Sequence, residues 1–374
     1  MIVAATGVAL NLPFATIVFP PLELHFMRVA LSGFGTVGQA FARLVQARAA
    51  GLLEQHGLEV RVVGVVDSRG SIVSDRPLDA ETLISAKQKG GSVASLPGGS
   101  SETDVAKVLA RCGADVLVQA SPSEVKNPDP AIGQLKAAFA RGIHGVTATK
   151  APIAIGMHAL HELAKYNKVL LKYSATVGAS TPVLATAECI AAADRILSVR
   201  AVLNGTTNFI LTKMLEQAWT FGDALAEAQR LGWAETDPTN DVDGIDTAVK
   251  MVIIANHARI NVGGDGRGSF DRVDLTGIRG VTADQIAAAK SAGKLIKLIG
   301  TISASGVKIA PTLIEPSDAL NIAGGINAAV FTTENCGEVV VKGPGAGGTQ
   351  TASAMLRDVV HIWHATHDEH PKGM

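Results

Sequence analysis

The sequence predicts an α/β protein in two parts, and three observations predict it. A short apolar strand, Arg28 to Ser32, runs directly into Gly33-Phe34-Gly35-Thr36-Val37-Gly38 and then into helical spacing from Gln39 to Ala49. Short buried strands then alternate with helical stretches as far as about His257, the pattern of a parallel sheet with covering helices. Beyond Asp274 β-formers return, with strands expected at Leu295 to Ala304 and, around a turn at Asn335 to Gly337, across Val330 to Val341. The first part reads as a Rossmann-like nucleotide-binding domain and the second as an α+β domain.

The first 26 residues are apolar and contain no Lys or Arg, so they lack the positive start of a signal peptide. Asn11, Pro13, Pro20 and Pro21 interrupt any membrane span. Met27 begins a more regular pattern and is the expected natural start, which makes residues 1–26 an N-terminal extension. In the glycine motif, Gly33 permits the tight turn, Gly35 lets the backbone approach a pyrophosphate, and Gly38 lets helix and strand pack closely. The phosphates belong on the N-terminus of the helix, where unpaired N–H groups point outward.

A second strand, Val62 to Val66, ends at Asp67, which is 29 residues past Gly38. The usual spacing is about 20, so a longer helix or an inserted turn is implied. Asp67 can accept bonds from an adenosine ribose, and Arg69 can instead meet a 2′-phosphate. The pair leaves NAD and NADP both open. A helix is expected near Ala80 to Lys89, and a third strand, Asp115 to Ala120, ends at Ser121. A helix near Ala131 to Ala140 and a strand from Gly145 to Ala148 lead to Lys150, at a strand end where open α/β sheets place ligands. Val169 to Tyr173 and Val199 to Leu203 read as strands. Small-residue turns follow each, Ser174 to Pro182 and Asn204-Gly205-Thr206, and both read equally well as helix caps. Two helices and a strand are expected between Asp274 and Ala310. The turn Gly343 to Gly348 opens a last helix and can come back to the nucleotide.

Composition narrows the function. The chain has 374 residues, 47% of them hydrophobic and 18% charged, with a formal net charge of -1. No basic surplus points to nucleic acid, and 4% aromatic content argues against base-stacking platforms. Cys112, Cys189 and Cys336 are too scattered for a disulfide framework or a zinc set, so a reducing, cytoplasmic compartment is expected. His361, His364, His367 and His370 recur at steps of three, which drift around a helix, so at most a neighbouring pair can share a metal.

The densest chemistry lies between Leu231 and Lys250. Glu235, Asp237, Asp241, Asp243 and Asp246 crowd a Pro-, Thr- and Gly-containing loop that enters a helix. Asp246 and Lys250 stand four apart and share one helix face. A calcium loop framed on Asp241, Asp243 and Gly244 places Lys250 where the bidentate Glu belongs, which rejects it. A site for a small cationic or zwitterionic molecule remains, against a solvated acidic turn.

Together these segments resemble homoserine dehydrogenase, from Met27 to about Val360. The most specific are LNGTTNFIL at 203–211 and LGWAETDPTNDVDGIDTAVK at 231–250. GFGTVG, TATKAP, ATVGASTP and GPGAGGTQTASA follow the family's order. The resemblance implies reduction of aspartate 4-semialdehyde to homoserine with NAD(P)H, on the route to threonine and methionine. It implies catalytic roles for Lys150, Lys250 and Asp246, and a substrate site of Glu235, Asp241, Asn204, Gly205 and Thr206. It implies cofactor contacts from residues 33–38, with Asp67, Arg69, Ser121, Lys150, Gly345 and Gly347. Its domains are 27–155 for the nucleotide, 156–325 for substrate and dimerisation, and 326–374 returning to the nucleotide domain, in a homodimer with no membrane or nucleic-acid partner. Members often hold Na+ or K+ on a Glu where this chain has Ser174, which leaves only the carbonyls of Val177 and Ala179. No regulatory domain follows the last helix in this reading. A same-fold oxidoreductase on another small amino-acid aldehyde or alcohol, or a nucleotide-binding sensor without turnover, are the alternatives.

Overall fold

The structure is a computed structural model that describes residues 9–12, 15–18, 25–122, 127–262 and 267–367. Strands β1 (Ala9–Leu12) and β2 (Ala15–Val18) pair antiparallel within the N-terminal extension. The remainder of residues 1–24, and His370, lie outside the described residues.

The first sheet grows from β3 (His25–Ser32), α1 (Thr36–His56), β4 (Leu58–Asp67), β5 (Gly70–Val73) and α2 (Ala80–Gly90). It continues through β6 (Gly99–Ser100), α3 (Val105–Cys112), β7 (Val116–Gln119), α4 (Ala131–Phe139), β8 (His144–Thr147), α5 (Lys150–Tyr166) and β9 (Leu171–Lys172). Its seven strands run in the order β6-β5-β4-β3-β7-β8-β9, parallel from β4 to β9, with β5 and β6 added antiparallel. The chain leaves β3 toward β4 and later returns to the other side of β3 as β7. That reversal opens a crevice at the carboxyl ends of β3 and β7, where such sheets bind ligands. Val29, Val65, Val116 and Val118 are fully buried, as strands covered on both faces require.

The second sheet follows α6 (Val183–Ala191). Its elements are β10 (Ile196–Val202), α7 (Gly205–Gln217), α8 (Phe221–Arg230), α9 (Thr239–Val242), α10 (Ile245–His257), β11 (Asp274–Leu275), α11 (Ala283–Ser291), β12 (Leu295–Ser303), β13 (Gly306–Ile314), β14 (Ile326–Thr333) and β15 (Glu338–Pro344). The order is β11-β13-β12-β10-β14-β15, antiparallel except between β11 and β13. Helix α10 is buried from Thr247 to Ala255, apolar from Met251 to Ala255, and its Met251 fits over Gly300 of β12. Gly300 has no side chain to obstruct it.

The last helix, α12 (Gly348–His367), crosses back to the first domain. Its Met355, Val359, Ile362 and Trp363 share one core with Val29, Phe41 and Leu52, and the Trp363 indole N–H donates to the His56 carbonyl at 3.2 Å. Several expected boundaries shift accordingly. β9 pairs with β8, so the first domain runs past residue 155. β14 and β15 belong to the second sheet, so the return begins near Gly345 rather than at 326. The 274–310 segment holds one helix, not two, and β5, β6 and α3 occupy the 68–112 stretch where one helix was expected. These missed strands are two to four residues long and draw their pairing from neighbours rather than from their own pattern.

Helix α12 is fastened at Asp358, which is fully buried and accepts from the Ser174 amide at 2.8 Å and the Ser174 hydroxyl at 2.6 Å. Burial pushes its carboxyl up from 3.8 to about 6, against the pull of the two Ser174 bonds. Native protein therefore holds this proton more tightly than unfolded chain, and stability from this group falls as pH rises from 3.8 to about 6. Asp358→Asn, which keeps the shape without the charge, is expected to gain on wild type across that window by up to about 3 kcal/mol. Urea unfolding of both proteins at either end of the window measures it.

Candidate active site

The crevice predicted by the topology is a cleft of about 590 Å³ between the two domains. On the first-domain side it is lined by Val37 of the glycine turn with Ala120, Ser121 and Ala148. Gly33 sits at φ 93°, and a Cβ there would stand 2.7 Å from the Ala120 carbonyl carbon and 2.8 Å from the Ser121 amide. A Cβ on Gly38 would stand 2.2 Å from the Gly33 carbonyl oxygen. A Cβ on Gly35, by contrast, would meet nothing within 4 Å. Two glycines are thus required by packing, and the third faces open space at the N-terminus of α1, which fits a pyrophosphate. The second glycine-rich turn closes over the first: a Cβ on Gly348 would stand 3.0 Å from the Thr36 methyl, and Gly345 and Gly347 line the cleft with Val37 and Ser121. The Phe34 side chain is 1% exposed and belongs to the core, so only its backbone can serve a ligand.

The far wall is built by α7 and α10. Asn204 caps α7, its side-chain oxygen accepting from the Thr207 amide at 2.9 Å. Its amide nitrogen is then free to turn the other way, donating to Asp241 at 2.6 Å and to Asp246 at 3.0 Å. Asp246 also accepts from the Lys250 ammonium at 2.6 Å, one helical turn on, and lies 3.5 Å from the Lys150 ammonium. Lys250 is 7% exposed and completes its shell on the Leu203 carbonyl at 2.6 Å. Lys150, the first residue of α5, is more open to the cleft. One carboxylate thus holds two ammonium groups, one from each domain.

Electrostatics separate the two acids. Burial pushes the Asp246 carboxyl up, but the charges of Lys250 and Lys150 and the bonds from Lys250 and Asn204 outweigh it, leaving it well below the usual carboxylate range. Asp241 goes the other way. Burial dominates there, the Asn204 bond only partly offsets it, and the neighbouring Asp246 charge raises it further. Asp246 is thus the permanent anion, and Asp241 is the one that takes a proton first.

Some expected residues fall elsewhere. Asp67 is buried, and its two oxygens already accept from the Arg69 and Val93 amides at 2.8 and 2.9 Å, the Ser92 hydroxyl at 3.0 Å and the Lys87 ammonium at 3.1 Å. Four donors use the acceptor capacity that a ribose would need, while the Arg69 side chain is exposed. Glu235 is exposed and not among the cleft-lining residues; its backbone carbonyl accepts from Gln229. Trp233 takes the place on the wall, stacked on Phe209 with ring centroids 5.5 Å apart and packed over Gly205 and Gly325. Its signal in the sequence is a large aromatic inside an otherwise polar, acidic motif. Thr206 reaches the same turn, its hydroxyl donating to the Trp233 carbonyl at 2.8 Å. Ala179 lines the cleft at φ 48°, and Val177 is buried. Among the described residues, no three His, Cys, Asp or Glu side chains are grouped to hold a metal. His364 meets His56 and His367 stacks on Trp363.

A glycine-turn cleft at the switch point of a parallel sheet, faced by paired lysines, defines an NAD(P)-dependent oxidoreductase. Comparison with known proteins bears this out. The homoserine dehydrogenase family model matches residues 182–360, and a Glutamate/Leucine/Phenylalanine/Valine dehydrogenase model matches residues 4–136. A homoserine dehydrogenase of Methanocaldococcus jannaschii is 38% identical over 91% of this chain and 99% of its own. An NAD(+)-dependent homoserine dehydrogenase of Pseudomonas canavaninivorans is 37% identical over 90% of this chain and 96% of its own. A hyperthermophilic archaeal homoserine dehydrogenase in complex with NADPH superposes with a TM-score of 0.79 at 29% identity, covering 91% of this chain and 98% of that one. The chain belongs to the homoserine dehydrogenase family.

Removing the shared carboxylate strands a buried ammonium. Asp246→Asn is expected to lower unfolding stability by about 3–5 kcal/mol, and Asp246→Asn with Lys250→Met to recover most of that loss. Chemical denaturation of the single and double variants compares them.

Proposed function

We propose that this cleft reduces the aldehyde of L-aspartate 4-semialdehyde to L-homoserine, and runs the reverse reaction, with the roles divided as follows. When bound, the nicotinamide nucleotide supplies or accepts the hydride at the substrate carbon. Lys250 and Lys150 bracket the reacting oxygen, stabilise its negative charge as the carbonyl is reduced, and Lys250 or a water it orients delivers the proton. Asp246 holds both ammonium groups in place. Asp241 takes the substrate ammonium, with Asn204, Gly205 and Thr206 positioning the substrate. The carrying observation is the convergence of both lysines on one buried carboxylate in a cleft that Val37 of the glycine turn also lines. Glu235 is proposed to join the ammonium site only if its loop turns inward when substrate binds.

At the adenosine end the filled shell of Asp67 favours Arg69 as the ribose-side contact, which suits a 2′-phosphate. Exposed Leu197, Leu275, Leu313 and Val340 all lie on the second sheet and support pairing of two copies through it. No described helix is long and apolar enough to cross a membrane. The scattered cysteines, unpaired in the structure, support a cytoplasmic setting.

Nicotinamide reduction by the protein with homoserine at alkaline pH is the direct test. Lys250→Ala is expected to cut kcat by at least about 1000-fold while nucleotide binding persists; an unchanged rate would sink the assigned chemistry. Separately, Arg69→Ala is expected to weaken NADP binding by about tenfold or more and NAD binding far less, since it removes one charge-assisted contact. Titration with each nucleotide reads this, and equal losses would return the ribose contact to another residue.

A further inference from the structure

Lys297, on β12, is 5% exposed and, among the described residues, has no carboxylate within its hydrogen-bonding shell. Its ammonium donates to three neutral acceptors: the Asn208 side-chain oxygen at 2.6 Å, the Ile322 carbonyl at 2.6 Å and, more loosely, the Thr212 hydroxyl at 3.3 Å. A buried cation without a counter-ion is costly, and an apolar residue would fill a core position at less cost. Something else must account for it. Its partners lead directly to the cleft. Asn208 lies one turn beyond Asn204 on α7, and its amide donates to the Gly324 carbonyl at 3.0 Å. The next residue, Gly325, faces the cleft. It meets Trp233, whose ring would stand 3.1 Å from a Cβ there, and its carbonyl accepts from the Gly345 amide at 2.9 Å.

We propose that Lys297 is a positioning residue for the substrate-facing wall. Its ammonium clamps the Ile322–Gly325 segment to α7 and so fixes where Gly325 meets Gly205, Trp233 and Gly345. Around Lys297 the segment is held by the Asn208 amide on the Gly324 carbonyl, the Gly345 amide on the Gly325 carbonyl and the buried Ile322 side chain, while Gly324 and Gly325 have no side chains of their own to pack. A three-way donor holds two carbonyl-type oxygens at once, which an apolar residue cannot do. The inference rests on the homoserine reading for its substrate but not for its geometry.

Burial pushes the Lys297 ammonium down to about 8, with Glu216 on α7 pulling it up. The other charges on the surrounding elements are engaged elsewhere: Lys213 with Glu216, Arg200 of β10 with Asp318, and Lys290 of α11 with the Leu215 carbonyl. Loss of the proton removes one donor and weakens the clamp.

The test is steady-state kinetics of wild type, Lys297→Met and Asn208→Ala with homoserine, alongside Trp233 emission taken as the difference from Trp233→Phe in the same background. Losing the clamp is expected to raise the KM for homoserine about tenfold or more while kcat stays within about threefold, and to shift Trp233 emission. In wild type the KM should climb as pH passes about 8, and in Lys297→Met that limb should vanish. A folded Lys297→Met with wild-type KM and wild-type Trp233 emission overturns the proposal, as does equal loss in KM and kcat with the emission unmoved. Should Lys297→Met fail to fold, Asn208→Ala decides: unchanged KM and emission refute the clamp. Wild type inactive on homoserine would defeat the substrate reading alone, and the Trp233 comparison would still judge the clamp.

Discussion

Everything in the cleft depends on the charge of Asp246. A carboxylate taken this far from water is ordinarily driven toward its neutral form. Here two ammonium groups and one amide keep it ionised, and in return it dictates where they stand. The arrangement is reciprocal, because Lys250 is itself too buried to remain without a partner. It also joins the halves of the molecule. Lys150 comes from the first sheet's crossover helix, while Lys250 comes from the apolar helix under the second sheet. The two domains therefore meet at a point of chemistry, and the apolar packing of α5 on α10 behind it supports that meeting.

The division of labour between neighbouring acids follows from the same constraint. Asp246 spends its oxygens on lysines and Asn204, so it is fixed and shielded. Asp241 has one short bond from Asn204 and a repelling neighbour, so it retains an appetite for a cation. An incoming ammonium relieves that repulsion. Asn204 stands between them because capping α7 with its oxygen leaves its nitrogen pointing at both. One side chain thus ends a strand-to-helix turn and organises the acids, and neither duty is separable from the other.

The sequence disclosed the parts whose physics is local. The strand–glycine turn–helix unit, the i, i+4 pair of Asp246 and Lys250, and the order of motifs all follow from spacing along the chain. What it concealed was decided by contacts distant in sequence. Asp67 looks like a ribose acceptor at the end of its strand. Only the fold reveals that Lys87, Ser92 and Val93 have arrived to fill it. Glu235 counts as one more acid in a row, yet the positive φ of 75° at Gly232 turns Trp233 onto the wall and leaves Glu235 outside. Ser174 reads as the loss of a carboxylate, whereas Asp358 brings one onto its hydroxyl and amide from 184 positions away. Lys297 carried no local signal, because its partners lie 25 to 89 positions distant.

The return of α12 to the first domain has a consequence for how the molecule comes into being. Met355, Val359 and Trp363 fill the same core as Val29 and Phe41, yet more than 300 residues separate the edges of that core along the chain. During synthesis the glycine turn and α1 emerge early with β4 and α2, and the part of their core that α12 supplies follows only after the second sheet has been made. Final closure of that core brings together the most distant contacts in the chain, the kind that carry the largest loop-closure cost and slow folding most. The core beneath the glycine turn is therefore completed only by the last helix of the described chain.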